Sequence, residues 1–153
     1  MELSLKQAIE KAIEIEEEVI RFYQDKMLKA VYPGSRKLLE YLVEQKKGHK
    51  SFYEEYISKS EELGGYCSMP IEFMDYRISD NLVEQNINEN SRIQEILIFA
   101  AKQEQRIHEY YTTLSEEYKD SDIGYIWECF ARESLIHKEF FEKEYDQNIL
   151  KEA

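Results

Sequence analysis

Four polar residues recur at one constant spacing in this sequence. A shift of 88 positions places Glu16 on Glu104, and the same shift places His49 on His137. Carboxylates and imidazoles are ordinary protein ligands for iron, manganese and zinc. Two Glu and two His at equivalent positions of a duplicated unit therefore predict a metal site with these four residues as its ligands.

Two further positions decide how many ions such a site could hold. In helical bundles, a core site for two iron or manganese ions takes one Glu from each of two helices and a Glu-x-x-His sequence from each of the other two. Three residues before His49 and His137, where that pattern has Glu, this chain has Lys46 and Ser134. The ligand set for two ions is therefore incomplete.

Charge counting shows why Lys46 matters most. Four carboxylates balance two divalent ions, whereas Glu16 and Glu104 with a protonated Lys46 leave a surplus of about three positive charges. An ammonium about 4 Å from one divalent ion costs roughly 8 kcal/mol at an effective dielectric near 20. Deprotonating the lysine at neutral pH costs about 4 to 5 kcal/mol. Either route weakens a two-ion site.

The residues that carry this chemistry lie on apolar stripes with the period of a helix that faces a core. The pattern predicts four helices, at about 4–32, 35–63, 91–119 and 121–148, with a crossover at about 64–90 that contains a short helix near 71–78. Capping boxes are expected at Ser4 and Ser91, and Pro33-Gly34 is expected to end the first helix.

A tight first turn and one long connection predict two antiparallel hairpins joined by a crossover. The expected fold is therefore all-α, a ferritin-like four-helix bundle that forms a single domain over residues 1–153. Each helix places its polar inward residue near mid-length, and on the fourth helix the predicted inward stripe comprises Ile123, Trp127, Phe130, Ser134, His137 and Phe141.

The segments around the ligands carry a family resemblance. Glu16 ends the sequence Ala-Ile-Glu-Ile-Glu and is followed seven residues later by Tyr23, and Glu104 is followed at the same distance by Tyr111. Together with the helices that contain the two His, these segments resemble the rubrerythrin-like branch of the ferritin-like superfamily over nearly the whole chain. Tyr23 and Tyr111 are expected to lie beside the ligands.

The resemblance implies a di-iron site that reduces peroxide or oxidises iron, often in a dimer. In the family the positions of Lys46 and Ser134 hold the carboxylates that bridge the two ions, so the departure falls on the bridging ligands. Full rubrerythrins also carry a rubredoxin-like iron centre, for which this chain has no cysteines. Its two cysteines, Cys67 and Cys129, are expected to be a loop thiol and a helix-packing thiol.

We therefore expect a diverged member of the family that binds one ion or none and has little di-iron redox activity. In the metal-free interpretation, Lys46 compensates Glu16, Glu104 or both. In the single-ion interpretation, iron, manganese or zinc binds near Glu104 and His137, away from Lys46. A third ligand is then needed. Glu133 and His108 are the candidates, although both are expected on solvated helix faces.

Two other functions stay open. One is an active di-iron peroxide reductase or ferroxidase with unusual ligands, and the other is a metal-free structural or partner-binding bundle.

Composition narrows the partners. A formal net charge of -12 disfavours nucleic acid and anionic membranes. Because the sequence contains neither a signal peptide nor a membrane-spanning stretch, a cytoplasmic location is expected. The resemblance implies a homodimer. The sequence does not specify the electron donor.

Overall fold

The computed structural model describes residues 4–58 and 86–152, and every regular element in these ranges is helical. The helices are α1 (Leu5–Lys29), α2 (Pro33–Ser58), α3 (Ile93–Glu117) and α4 (Asp122–Glu152). Helix α1 packs against α2, and α3 packs against α4. The predicted all-α fold with two helical hairpins is confirmed. Most of the predicted crossover, including the short helix near 71–78, lies outside the described residues.

Each hairpin forms a compact unit. The first hairpin comprises α1 and α2 together with residues 88–91, and the second hairpin comprises α3 and α4. Two contacts hold residues 88–91 to the start of α2. The Ser35 hydroxyl donates to the Ser91 carbonyl at 2.6 Å, and the Val31 amide donates to the Glu89 carbonyl at 2.8 Å. The chain before α3 is thereby fixed to the α1–α2 turn.

The helix starts follow local capping chemistry. The predicted capping box at Ser4 is confirmed, because the Gln7 amide donates to the Ser4 hydroxyl at 3.2 Å and the Ser4 amide donates to the Gln7 side chain at 2.9 Å. Helix α3 begins later than predicted. The Arg92 amide at its start donates to the Glu95 carboxylate at 3.1 Å. The Ser91 hydroxyl, which we expected to cap this helix, instead accepts from the Asn88 amide.

The α1–α2 turn corrects another prediction. Helix α1 ends at Lys29, and Pro33 is the first residue of α2 rather than the end of α1. Proline suits the first helical position because its fixed φ is already helical and its missing amide hydrogen has no partner there. The Pro-Gly pair thus starts a helix in this chain.

Close packing at the α3–α4 turn requires glycine at position 124. A Cβ atom built there would lie 2.2 Å from the Tyr118 carbonyl oxygen, whereas one at Gly48 in α2 would meet nothing within 4 Å. We expect Gly124→Ala to lower the free energy of unfolding by about 1–3 kcal/mol through overpacking. Gly48→Ala is the matched control, and it should raise the same quantity by about 0.5–1 kcal/mol. Urea unfolding measures both, and equal stabilisation by the two changes would contradict the close approach.

Candidate metal centre

The first hairpin holds a buried ion pair at its ligand positions. The Lys46 ammonium lies 3.7 Å from Oε2 of Glu16, and the two side chains are 2% and 4% exposed. The Coulomb attraction of such a pair is roughly 4 kcal/mol at an effective dielectric near 20. Burial of a carboxylate is costly unless a cation compensates it, and in this hairpin the lysine supplies the compensating charge.

The other predicted residues of the first hairpin flank this pair. His49 lies three residues after Lys46 on α2 and is partly buried. Tyr23 lies two helical turns beyond Glu16 on α1, and it is buried with its ring edge-on to Phe22.

The second hairpin brings Glu104 and His137 together. Nδ1 of His137 lies 3.8 Å from Oε2 of Glu104, and the side chains are 14% and 2% exposed. The two residues come from the middle of α3 and α4 respectively. The half-site that the sequence favoured for a single ion thus contains a buried carboxylate next to a partly buried imidazole.

Glu133 faces the other ring nitrogen of His137. Its Oε1 lies 4.0 Å from Nε2 of His137, one helical turn away on α4, and its side chain is 7% exposed. The expectation that Glu133 is on a solvated helix face is therefore wrong. In the first hairpin the equivalent position is Gln45, so the second hairpin has one more carboxylate beside its histidine.

Ser134 does not face the imidazole as a ligand. Its hydroxyl donates to the Phe130 carbonyl at 3.1 Å, inside its own helix, and the side chain is buried. This back-bonding is common for serine within helices. The family pattern has a bridging carboxylate oxygen at this position. In this chain the position has a hydroxyl that is hydrogen-bonded to the backbone of α4.

His108, the other candidate third ligand, has a different partner. Its Nδ1 lies 2.9 Å from the Ala131 carbonyl oxygen. Because a carbonyl can only accept, Nδ1 is the donor, and this hydrogen bond connects α3 to α4. With Nδ1 carrying the hydrogen, Nε2 is the unprotonated atom of the neutral ring. His108 is partly buried, as opposed to the solvated position that we expected.

Several buried residues of α4 were missed by the sequence analysis. Lys138 and Glu142 are 0% and 1% exposed, although neither belongs to the predicted inward stripe. Their equivalents in the first hairpin, Lys50 and Glu54, form an ion pair at 3.8 Å with far more exposed side chains. The repeat places a lysine and a glutamate four residues apart in both hairpins, but it does not indicate that those of α4 are buried.

Cys129 also differs from its prediction. It is buried, and it is disulfide-bonded rather than a free thiol. The sequence has one other cysteine, Cys67, which lies outside the described residues. Disulfides are uncommon in the reducing cytosol, so the cytoplasmic location stays a prediction. None of the described helices is long and apolar enough to cross a membrane.

The family comparison covers the first hairpin. The rubrerythrin family model matches residues 1–57, a range that includes all of α1 and all but the last residue of α2. This match confirms the predicted resemblance to rubrerythrins for the first hairpin, and Lys46 lies within the matched range. For the second hairpin the resemblance stays a prediction. No curated protein and no solved structure matches the chain.

Proposed function

We propose that this chain is a rubrerythrin-like protein whose metal centre has diverged to bind a single divalent ion and has little di-iron redox activity. The observation that carries this proposal is the buried Lys46–Glu16 pair, at 3.7 Å. A rubrerythrin-like di-iron centre would need a metal ion at Glu16, and the ammonium already compensates that carboxylate.

The ligands of the first hairpin do not fit a resident ion. A divalent ion on Glu16 would stand about 4 Å from the Lys46 ammonium, at a cost of roughly 8 kcal/mol. Moving the ammonium away would remove a buried charge from its partner, which is itself strongly unfavourable. This supports at most a weak role for Glu16 and His49 as metal ligands.

The ligands of the second hairpin fit one ion. Two ligand atoms that each lie about 2.0–2.2 Å from the same ion can be at most roughly 4.4 Å apart. The 3.8 Å from Glu104 to Nδ1 of His137 and the 4.0 Å from Glu133 to Nε2 of His137 each meet this limit. Both separations are too long for hydrogen bonds. Because they involve different ring nitrogens, one ion can take His137 together with one of the two carboxylates.

The chemistry of such a site follows from its three side chains. A bound divalent ion would supply a Lewis acid and, as iron or manganese, one-electron redox chemistry. The two ring nitrogens of His137 face different carboxylates, so one nitrogen can bind the ion while the other donates to the remaining carboxylate. That second contact fixes the orientation of the ring. One of Glu104 and Glu133 thereby serves as a ligand and the other as an orienting acceptor.

The experiment is a titration of the metal-free protein with Mn²⁺ or Zn²⁺ by calorimetry. We expect one ion per chain and a loss of at least about 10–100-fold in affinity for Glu133→Gln, because even outer contacts contribute that much to metal affinity. The matched control is Glu139→Gln on the same helix, which removes a carboxylate that pairs with Lys143 at 3.1 Å. This control should leave the affinity unchanged.

Two other outcomes would support the competing functions. Binding that is equally weak in the parent and in Glu133→Gln would support the metal-free structural bundle. Two tight ions per chain, with ferroxidase or peroxidase activity, would support the active di-iron oxidoreductase.

Assembly as a homodimer also stays a prediction, and analytical ultracentrifugation tests it.

A further inference from the structure

An aromatic cluster connects the interior of the second hairpin to its surface. The ring centroids of Tyr110 and Tyr111 are 5.7 Å apart, and Tyr111 stacks on Trp127 at 5.4 Å with an interplanar angle of 19°. Phe130 contacts Tyr111 and Trp127 at 5.6 and 6.0 Å. Tyr111 and Trp127 are buried, whereas Tyr110 is 45% exposed. An indole in the interior is thus joined through a buried phenol to a phenol in solvent.

The repeat shows that packing alone does not require this cluster. At the equivalent positions, the first hairpin has Phe22 for Tyr110, Leu39 for Trp127 and Leu42 for Phe130. Leu39 and Leu42 are as deeply buried as the aromatic residues that replace them. Aliphatic side chains therefore fill the core positions that correspond to Trp127 and Phe130.

We propose that Trp127, Tyr111 and Tyr110 form a one-electron relay that carries an oxidising equivalent from the interior of the second hairpin to Tyr110 at the surface. Electron tunnelling weakens exponentially with distance, so rings in van der Waals contact transfer electrons far faster than isolated ones. Tyr110 and Tyr111 lie on the same helix as Glu104, and Tyr111 follows Glu104 by about 10 Å along the helix axis. It operates whether or not an ion binds there.

Proton release sets the direction of the relay. The indole N–H of Trp127 is buried and has no hydrogen-bond acceptor among the described residues. Oxidised Trp127 therefore keeps its proton and its positive charge in a poorly solvated place, which is costly. Tyr110 reaches water, which accepts the phenol proton as the electron leaves. The hole is consequently more stable as a neutral phenoxyl radical at Tyr110.

The electrons and protons balance for an oxygen-centred radical of the alkoxyl class, formed from a peroxide. This radical takes one electron from Trp127 and one proton from water, and it becomes an alcohol. Tyr111 passes one electron to Trp127, Tyr110 passes one electron to Tyr111, and the Tyr110 phenol releases one proton to water. The net reaction transfers one hydrogen atom from the Tyr110 phenol to the alkoxyl radical.

Photoionisation of Trp127 tests the relay in the full-length protein. Trp127 is the only tryptophan in the chain, so light at the red edge of indole absorption ionises it alone. We expect the indole radical to decay as a phenoxyl radical appears, and a nitroso spin trap to label Tyr110, as located by peptide mass spectrometry. Tyr110→Phe keeps the ring and its packing, and it should abolish the surface label.

The controls distinguish a relay from unspecific oxidation. Tyr125 is also on the second hairpin and is 40% exposed, but it is outside the cluster, so Tyr125→Phe should leave the label on Tyr110 intact. Tyr111→Phe should prolong the lifetime of the indole radical. A label that is absent from Tyr110, or that Tyr125→Phe removes as fully as Tyr110→Phe does, would overturn the proposal. Because Tyr110 is exposed, its substitution leaves the folded core untouched.

Discussion

Replacing Lys46 by methionine is expected to lower the free energy of unfolding by about 3–5 kcal/mol, because it removes one partner of a buried ion pair. Glu16 would keep its buried position and lose the ammonium that now lies 3.7 Å away. Methionine has nearly the length of the lysine stem, so the change removes charge more than volume. The loss therefore measures the electrostatic role of Lys46.

Urea unfolding in the presence of a chelator measures this effect. The matched control is Lys47→Met, one residue along the same helix. Lys47 is 48% exposed and lies 3.8 Å from a Glu44 that is itself exposed, and such surface pairs contribute about 0–1 kcal/mol. Lys46→Met combined with Glu16→Leu should recover most of the stability, since replacing both partners of a buried pair is often neutral. Equal costs for Lys46→Met and Lys47→Met would refute the role assigned to the pair.

A second large effect is expected when the missing carboxylates are restored. Lys46→Glu combined with Ser134→Glu should raise the number of bound divalent ions from one per chain to two. The substitutions place Glu three residues before His49 and His137, as in the Glu-x-x-His pattern of two-ion sites, and they remove the ammonium. With Lys46 protonated, two divalent ions would carry a surplus of positive charge, whereas the four carboxylates of the double variant balance them.

The measurement is metal content after reconstitution with Fe²⁺ under anaerobic conditions and desalting. Lys46→Gln with Ser134→Gln is the matched control, because it introduces the same side-chain lengths without charge, and it should bind no second ion. Ser134→Glu alone should leave the count at one, since Lys46 is still present. A folded Glu double variant that binds no more iron than the parent would show that these two positions do not correspond to the family's bridging carboxylates.

Periodicity and the repeat predicted the parts of the site that depend on position along a helix. Glu16, Lys46, Glu104 and Ser134 are buried as their stripes required, and Lys46 compensates Glu16 as the metal-free interpretation supposed. A single stripe could not predict the burial of Glu133 and the other missed residues of α4. That helix is buried on more than one face, and sequence period identifies only the most apolar one.

Two other differences arise from chemistry that spacing does not encode. A Pro-Gly pair is compatible with the end of one helix or with the first turn of the next, and the backbone contacts of the turn decide between them. For Cys129, spacing along the sequence gives no sign of whether the fold brings its sulfur atom close to another.

The central claim is that a lysine ammonium in the first hairpin stands where a rubrerythrin-like centre would need a metal ion. The most direct test is the iron content of the parent protein after anaerobic loading, measured by mass spectrometry of the intact metal complex. The account predicts no more than one ion per chain, and Glu133→Gln should weaken its binding by at least about 10–100-fold. Two tightly bound ions per chain in the parent, with Lys46 unaltered, would contradict it.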